Sequence, residues 1–96
     1  MPAYMIFTRE EPVHDAEAMA RYQGLVQKSV AGHPMKPLVV YGATEGVEGD
    51  TPDGVVVLEF PSVEDAKAWY HSPGYQAALP HRMQAARYRA FIVQGL

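Results

Sequence analysis

The segment that decides the fold lies at residues 55–65 and reads Val-Val-Val-Leu-Glu-Phe-Pro-Ser-Val-Glu-Asp. Its first six residues are apolar except for Glu59, and a nearly continuous apolar run is typical of a strand that is covered on both faces. Alternation places Val57 and Glu59 on the same face of that strand. Ser62 is followed three residues later by Asp65, and this spacing predicts a capping box at the start of a helix.

The chain after this segment predicts two helical stretches and a final strand. An apolar helical face is formed by residues at three- and four-residue steps: Val63, Ala66, Trp69 and Tyr70. Ser72-Pro73 restarts a helix, because Ser is a good N-cap and Pro is tolerated in a first turn. Pro80 lacks the N–H that would bond to the carbonyl of Gln76, so we expect this helix to break or kink there. Residues 88–93 indicate the last strand.

The chain before the segment predicts a strand, a helix and a second strand. Residues 3–9 are rich in aromatic and branched side chains and favour a strand. Asp15 is a suitable N-cap for the helix, whose apolar stripe recurs at helical spacing: Met19, Tyr22, Val26 and Val30. Gly32 and Pro34 end this helix, and residues 38–41 form the second strand.

The resulting order β-α-β-β-α-β predicts one α+β domain over residues 1–96 with a ferredoxin-like fold, in which an antiparallel sheet carries the helices on one face. The other face of the sheet is apolar too and has no cover in a single chain. A second copy is the economical cover, so we expect a homodimer formed through the sheet face. The dimer would enclose the chamber in which a ligand binds.

Composition excludes several classes of function. The chain has 96 residues, 48% of them hydrophobic, and no Cys, so disulfides, thiolate metal sites and a Cys nucleophile are excluded. A net charge of −3 without a basic run gives no reason to bind nucleic acid. No apolar stretch approaches the roughly 20 residues of a membrane span, and we expect a cytoplasmic protein without membrane partners.

Several segments resemble the family known as domain of unknown function 1330. The similarity is carried by residues 55–62, Ala66, 68–70, 72–76, Arg82, Ala86 and 93–95. The resemblance implies a dimeric α+β barrel. It implies no common reaction, since the wider superfamily includes cofactor-free enzymes and ligand binders. In this chain a pocket arginine of the family is replaced by Tyr41, so the ligand preference of the family need not carry over.

The C-terminal third of the chain carries no acidic residue. Every Asp and Glu lies at or before Asp65, whereas Arg82, Arg87 and Arg89 follow it. A cavity lined by this part of the chain would therefore favour an anion. The alternative is that these cations are solvated and pair with the acidic half.

Three residues are candidates for catalysis. His33 lies between a helix-ending Gly and Pro34, in a loop where it can act as acid or base near neutral pH. Glu59, inside an apolar strand, would be a desolvated proton carrier, or else a partner in an ion pair with Lys36, Arg9 or Arg89. Arg82 offers a planar fork for a carboxylate or enolate oxygen, or else forms a surface or dimer salt bridge.

Four aromatic residues are candidates for substrate binding. Tyr70 and Tyr75 each combine an apolar ring with a hydroxyl, and we expect at least one of them to face a ligand. Tyr41 can donate a hydrogen bond from the second strand, and Trp69 either packs in the core or borders the ligand.

These residues predict a small cofactor-independent enzyme that transfers a proton on a compact carbonyl or carboxylate metabolite, by isomerisation, lactone opening or a related rearrangement. Arg82 and Tyr70 would hold the oxyanion, and His33 or Glu59 would move the proton. No metal or cofactor fingerprint is present. The alternatives are a non-catalytic dimer that binds a small ligand and a scaffold without a cavity.

Overall fold

Four strands and three helices make up the computed structural model, which describes residues 1–96. The elements in chain order are β1 (Ala3–Arg9), α1 (Ala16–Ser29), β2 (Lys36–Val40), β3 (Gly54–Phe60), α2 (Val63–Tyr70), α3 (Pro73–Ala85) and β4 (Tyr88–Gln94). The strands form one antiparallel sheet in the order β2-β3-β1-β4. This arrangement confirms the predicted α+β, ferredoxin-like fold.

The helix starts follow the predicted caps. The Asp15 carboxylate accepts the N–H of Ala18 at 3.0 Å and caps α1. The Ser62 hydroxyl accepts the N–H of Asp65 at 3.1 Å and caps α2. It also donates to the Asp65 carboxylate at 2.9 Å. In a regular capping box this carboxylate would instead accept the backbone N–H of Ser62. None of the helices has the length and hydrophobicity needed to cross a bilayer.

Of the predicted break or kink at Pro80, the break does not occur, because α3 runs without interruption from Pro73 to Ala85. Pro80 and Gln76 are both exposed, so the carbonyl that loses its helical donor lies on a side of the helix that water can reach. Arg82, in the last turn of α3, lies on the buried side of the helix.

One face of the sheet forms the core with the helices. Along β1 the residues facing the helices are buried, and Phe7 lies opposite Val56 of β3 and Ala90 of β4. Residues opposite each other on neighbouring strands share a face of the sheet. The largest fully buried side chains on this side are Phe60, Trp69 and Tyr75.

The other face of the sheet is apolar and uncovered; we call it the open face. It carries the alternate residues of the four strands, among them Tyr4, Ile6, Val39, Val55, Val57, Phe91 and Val93. Phe91 is 48% exposed and Val93 is 43% exposed. Glu59 lies on this face opposite Lys36. In a single chain these apolar side chains are therefore left without a covering layer.

Candidate functional site

A cavity of about 380 Å³ lies between the helix-covered face of the sheet and α1. Eleven of its fifteen lining residues are hydrophobic. Its mouth is bordered by exposed residues of α1 and β2: Gln23, Gln27, Pro37 and Val40. We call it the Arg82 cavity, because Arg82 supplies its only charge. The cavity is formed within one chain, on the face opposite to the chamber expected between two sheets.

Arg82 is a buried cation without a protein counter-charge. Its side chain lies on α3, and the residue is only 5% exposed. The guanidinium carbon is 5.2 Å from the centre of the Phe7 ring and 4.9 Å from that of Tyr88. No carboxylate lies within 4.0 Å, and the buried Nε has no hydrogen-bond partner. The salt-bridge alternative is therefore wrong for Arg82 within the single chain.

A second hollow, of about 320 Å³, lies on the other side of Arg82 and Tyr88. Glu11 lines this hollow, but its carboxylate contacts other groups: His14 Nε2 at 3.3 Å and the Arg87 guanidinium at 3.6 Å. The acidic group that shares a hollow with Arg82 is thus already paired. A charge buried without a partner is costly, so an anion from outside would be stabilised at Arg82.

A pair of tyrosine hydroxyls adjoins this guanidinium. The hydroxyls of Tyr41 and Tyr88 are 2.7 Å apart, and both rings line the Arg82 cavity. Tyr41 has a left-handed backbone with φ of 55°, a conformation that costs a side-chain-bearing residue about 1–3 kcal/mol. Arg9 lies over the Tyr41 ring at 5.1 Å, and Gly54 on β3 leaves room for the ring. The surrounding structure thus fixes a strained tyrosine at the cavity.

Burial keeps the tyrosine hydroxyls of this region protonated. It raises the pKa of Tyr41, and the hydrogen bond to Tyr88 adds to the rise. It also raises the pKa of Tyr22 and that of Tyr75, whose hydroxyls are 3.1 Å apart. Because a tyrosine ionises at about pH 10 in water, a raised pKa leaves these groups neutral near pH 7. They can donate hydrogen bonds, and they are poor bases.

Trp69 and Tyr75 form the floor under the cavity. Both are fully buried, with ring centres 4.4 Å apart, and the Trp69 indole N–H donates to the Ser29 hydroxyl at 3.1 Å. Trp69 packs in the core and also lines the cavity. Tyr75 supports the cavity without lining it. Tyr70 packs on Tyr75 at 5.2 Å and lies outside the cavity.

His33 and Glu59 lie together in a different place. They line an open groove of about 550 Å³ with Lys36 and the N-terminal residues, and Arg82 is not part of it. Met35 borders both the groove and the Arg82 cavity. The structure therefore unites two of the three candidate catalytic residues and separates them from the third.

None of the ion pairs considered for Glu59 forms. Lys36 is opposite in register but not within 4.0 Å, Arg89 binds Glu10, and Arg9 reaches the Asp53 carbonyl at 3.2 Å. No group of three or more His, Asp or Glu side chains could hold a metal ion.

Two residues of the site were not singled out from the sequence. Tyr22 counts there only as a member of the apolar stripe of α1, and Tyr88 only as the first residue of the last strand. The available signal for Tyr88 is its register: it lies opposite Arg9, whose partner on the other side is Gly54, on the helix-covered face. The helical stripe of α1 does not predict that the Tyr22 hydroxyl meets that of Tyr75, and the register of β4 does not predict that the Tyr88 hydroxyl meets that of Tyr41.

Fold and cavity define a small ferredoxin-like α+β protein with a cavity between its sheet and its helices. The chain belongs to the DUF1330 family, a domain of unknown function that matches residues 2–96.

Solved structures share this fold. A protein of unknown function from Rhodopseudomonas palustris is 24% identical, with a TM-score of 0.69 over 99% of this chain and 82% of that one. A dimeric ferredoxin-like protein from Bacteroides fragilis is 14% identical, with a TM-score of 0.66 over 98% and 96% of the chains. An EthD family protein from Bacillus halodurans is 16% identical, with a TM-score of 0.66 over both full lengths. No curated protein matches the chain.

The contact between Gly54 and the Tyr41 ring gives a first prediction. A Cβ at position 54 would lie 2.7 and 2.9 Å from two ring carbons of Tyr41. We expect Gly54→Ala to lower the free energy of unfolding by about 1–3 kcal/mol, the usual cost of overpacking.

The matched control is Gly24→Ala in α1, where nothing lies within 4 Å. It should raise stability by about 0.5–1 kcal/mol. Urea unfolding measures both, and equal stability of the two variants would contradict the fixed position of Tyr41.

Proposed function

We propose that this protein binds a compact metabolite through a carboxylate or enolate oxygen, in the Arg82 cavity. The observation that supports the proposal is the buried guanidinium of Arg82, which has no carboxylate partner and an Nε without a hydrogen bond, in a cavity lined mostly by hydrophobic residues. An anionic oxygen would supply the missing counter-charge and accept two parallel N–H bonds from the fork of the arginine. The hydroxyls of Tyr41 and Tyr88 would complete its hydrogen bonding.

A second candidate function is cofactor-independent proton transfer at the same site. One observation favours it: the pair of hydroxyls at 2.7 Å next to Arg82, which can move a proton. In this reaction a bound enol loses its O–H proton to solvent, and Arg82 stabilises the enolate oxygen. One hydroxyl of the pair then gives its proton to carbon while it accepts the proton of the other hydroxyl, which takes a proton from solvent, so no buried tyrosinate forms and the net change is enol to ketone. His33 and Glu59 are not needed for this step.

Phenylpyruvate is a suitable probe for both candidates, because it has a carboxylate, an apolar ring and an enol form. At saturating concentration it should raise the melting temperature of the wild-type protein, since a ligand at ~100 times its Kd stabilises by about 2.7 kcal/mol. Arg82→Met should abolish this shift, whereas the control Arg21→Met, which removes an exposed arginine of α1, should keep it. An unchanged shift in Arg82→Met would overturn the proposed site.

The same mixtures of protein and phenylpyruvate distinguish a binding protein from an enzyme. If the protein catalyses proton transfer, the enol absorbance of phenylpyruvate decays faster than in buffer, and Tyr41→Phe lowers the rate by at least ~10²-fold. A decay equal to that in buffer, together with the shift in melting temperature, identifies a non-catalytic binding protein.

We also propose that two copies of the chain associate through the open face. The exposed Phe91 and Val93 support this association, as does the dimeric state of similar ferredoxin-like proteins. Burying this face would remove the largest apolar surface from water without touching the mouth of the Arg82 cavity, which lies on the helix side.

The dimer is tested by sedimentation of the wild-type protein and two charge variants. We expect wild-type protein at twice the chain mass of 10.6 kDa. Phe91→Glu places a charge on the open face and should weaken the dimer by at least ~30-fold, the effect of losing a central contact worth about 2 kcal/mol. Met83→Glu is the control, since Met83 is 67% exposed on the helix side. A monomeric wild-type protein would refute this assembly.

A further inference from the structure

The Arg82 cavity contains a single positive charge in apolar surroundings, and this limits the ligand further than the proposed function does. We propose that the ligand is a monocarboxylate of about ten to twelve non-hydrogen atoms in total, most of them in an apolar body. This inference rests on the proposed function, because it assumes that the cavity binds an anion at Arg82.

The charge count indicates one carboxylate only. Among the fifteen lining residues Arg82 alone is charged, and the amides of Gln23 and Gln27 lie at the exposed mouth. A second carboxylate on a short ligand would lie between Val26, Val56 and other apolar walls with no cation near it. Burying an unpaired charge in such surroundings costs several kcal/mol, so a compact dicarboxylate is disfavoured.

The distribution of buried and exposed residues gives the ligand a direction. Arg82 and Trp69 mark the buried end, where the residues are 5% and 0% exposed. Val40 at the mouth is 60% exposed although it lines an apolar cavity. A carboxylate bound to Arg82 therefore directs the rest of the ligand along apolar walls towards the mouth, where it would cover Val40.

The volume sets the size of the apolar body. About 380 Å³ is near the lower end of small-molecule sites. At about 30 Å³ for each water-sized group, this space accommodates roughly a dozen non-hydrogen atoms. Acetate would leave most of the apolar wall uncovered, whereas octanoate would cover it.

Calorimetric titration of the wild-type protein with four probes tests the inference. Octanoate should bind at least ~100-fold more tightly than acetate, because each buried methylene contributes up to roughly a fourfold gain. Octanamide, which has the same chain without the charge, should bind at least ~10-fold more weakly than octanoate. Glutarate, a dicarboxylate short enough to enter completely, should bind at least ~100-fold more weakly than octanoate.

A pair of variants tests where the apolar body lies. Val26→Trp fills the cavity from α1 and should weaken octanoate at least ~10-fold while changing acetate much less. The control Val47→Trp changes a residue that is 92% exposed in the β2–β3 loop and should leave both affinities unchanged. If Val26→Trp fails to fold, Val26→Phe serves in its place, and circular dichroism shows which variants are folded.

The outcomes distinguish this inference from the proposed function. If glutarate binds as tightly as octanoate and Arg82→Met abolishes both, the monocarboxylate inference is overturned while anion binding at Arg82 stands. If none of the probes binds, or if octanoate binds equally well to Arg82→Met, both are overturned.

Discussion

The burial of Arg82 without a counter-charge is the constraint on which the site depends. Its cation–π contacts with the rings of Phe7 and Tyr88 stabilise the folded state by roughly 0.5–2 kcal/mol each. Desolvation of a cation costs several kcal/mol even after the protein relaxes. The folded protein without a ligand is therefore destabilised by the part of the desolvation free energy that these contacts do not offset, and an anionic ligand would remove this destabilisation. Residues kept in such a state are typical of binding and catalytic sites.

The two faces of the sheet have separate roles because side chains alternate along each strand. The even-numbered residues of β3 pack under the helices and form one wall of the cavity, as Val56 and Leu58 do. The odd-numbered residues lie on the open face, where a partner would cover them. The Arg82 cavity and the open face thus lie on opposite sides of one thin sheet and share no residues.

The fold could be predicted from the sequence because its determinants are local: the apolar run at 55–60, the caps at Asp15 and Ser62, and the helical stripe of α1. The break expected at Pro80 does not occur. A helix can continue past a proline when the carbonyl that loses its donor reaches water, and only the tertiary structure shows whether it does. The site was predictable in part. Of the three arginines in the last third, Arg87 and Arg89 pair with Glu11 and Glu10, as the alternative interpretation held, and only Arg82 lines the cavity. The separation of His33 and Glu59 from Arg82, and the tyrosine pairs, depend on contacts between distant elements, such as Tyr41 with Tyr88.

The unfolding free energy of Arg82→Met without any ligand is the most direct test of the central claim. If the guanidinium is an uncompensated buried charge, replacing it by an apolar side chain of similar length should stabilise the protein by about 1–3 kcal/mol. Urea denaturation of the variant and the wild-type protein in the same buffer measures the difference. A variant less stable than wild type by 1 kcal/mol or more would contradict the account, because it would make Arg82 a structural residue held by its aromatic neighbours.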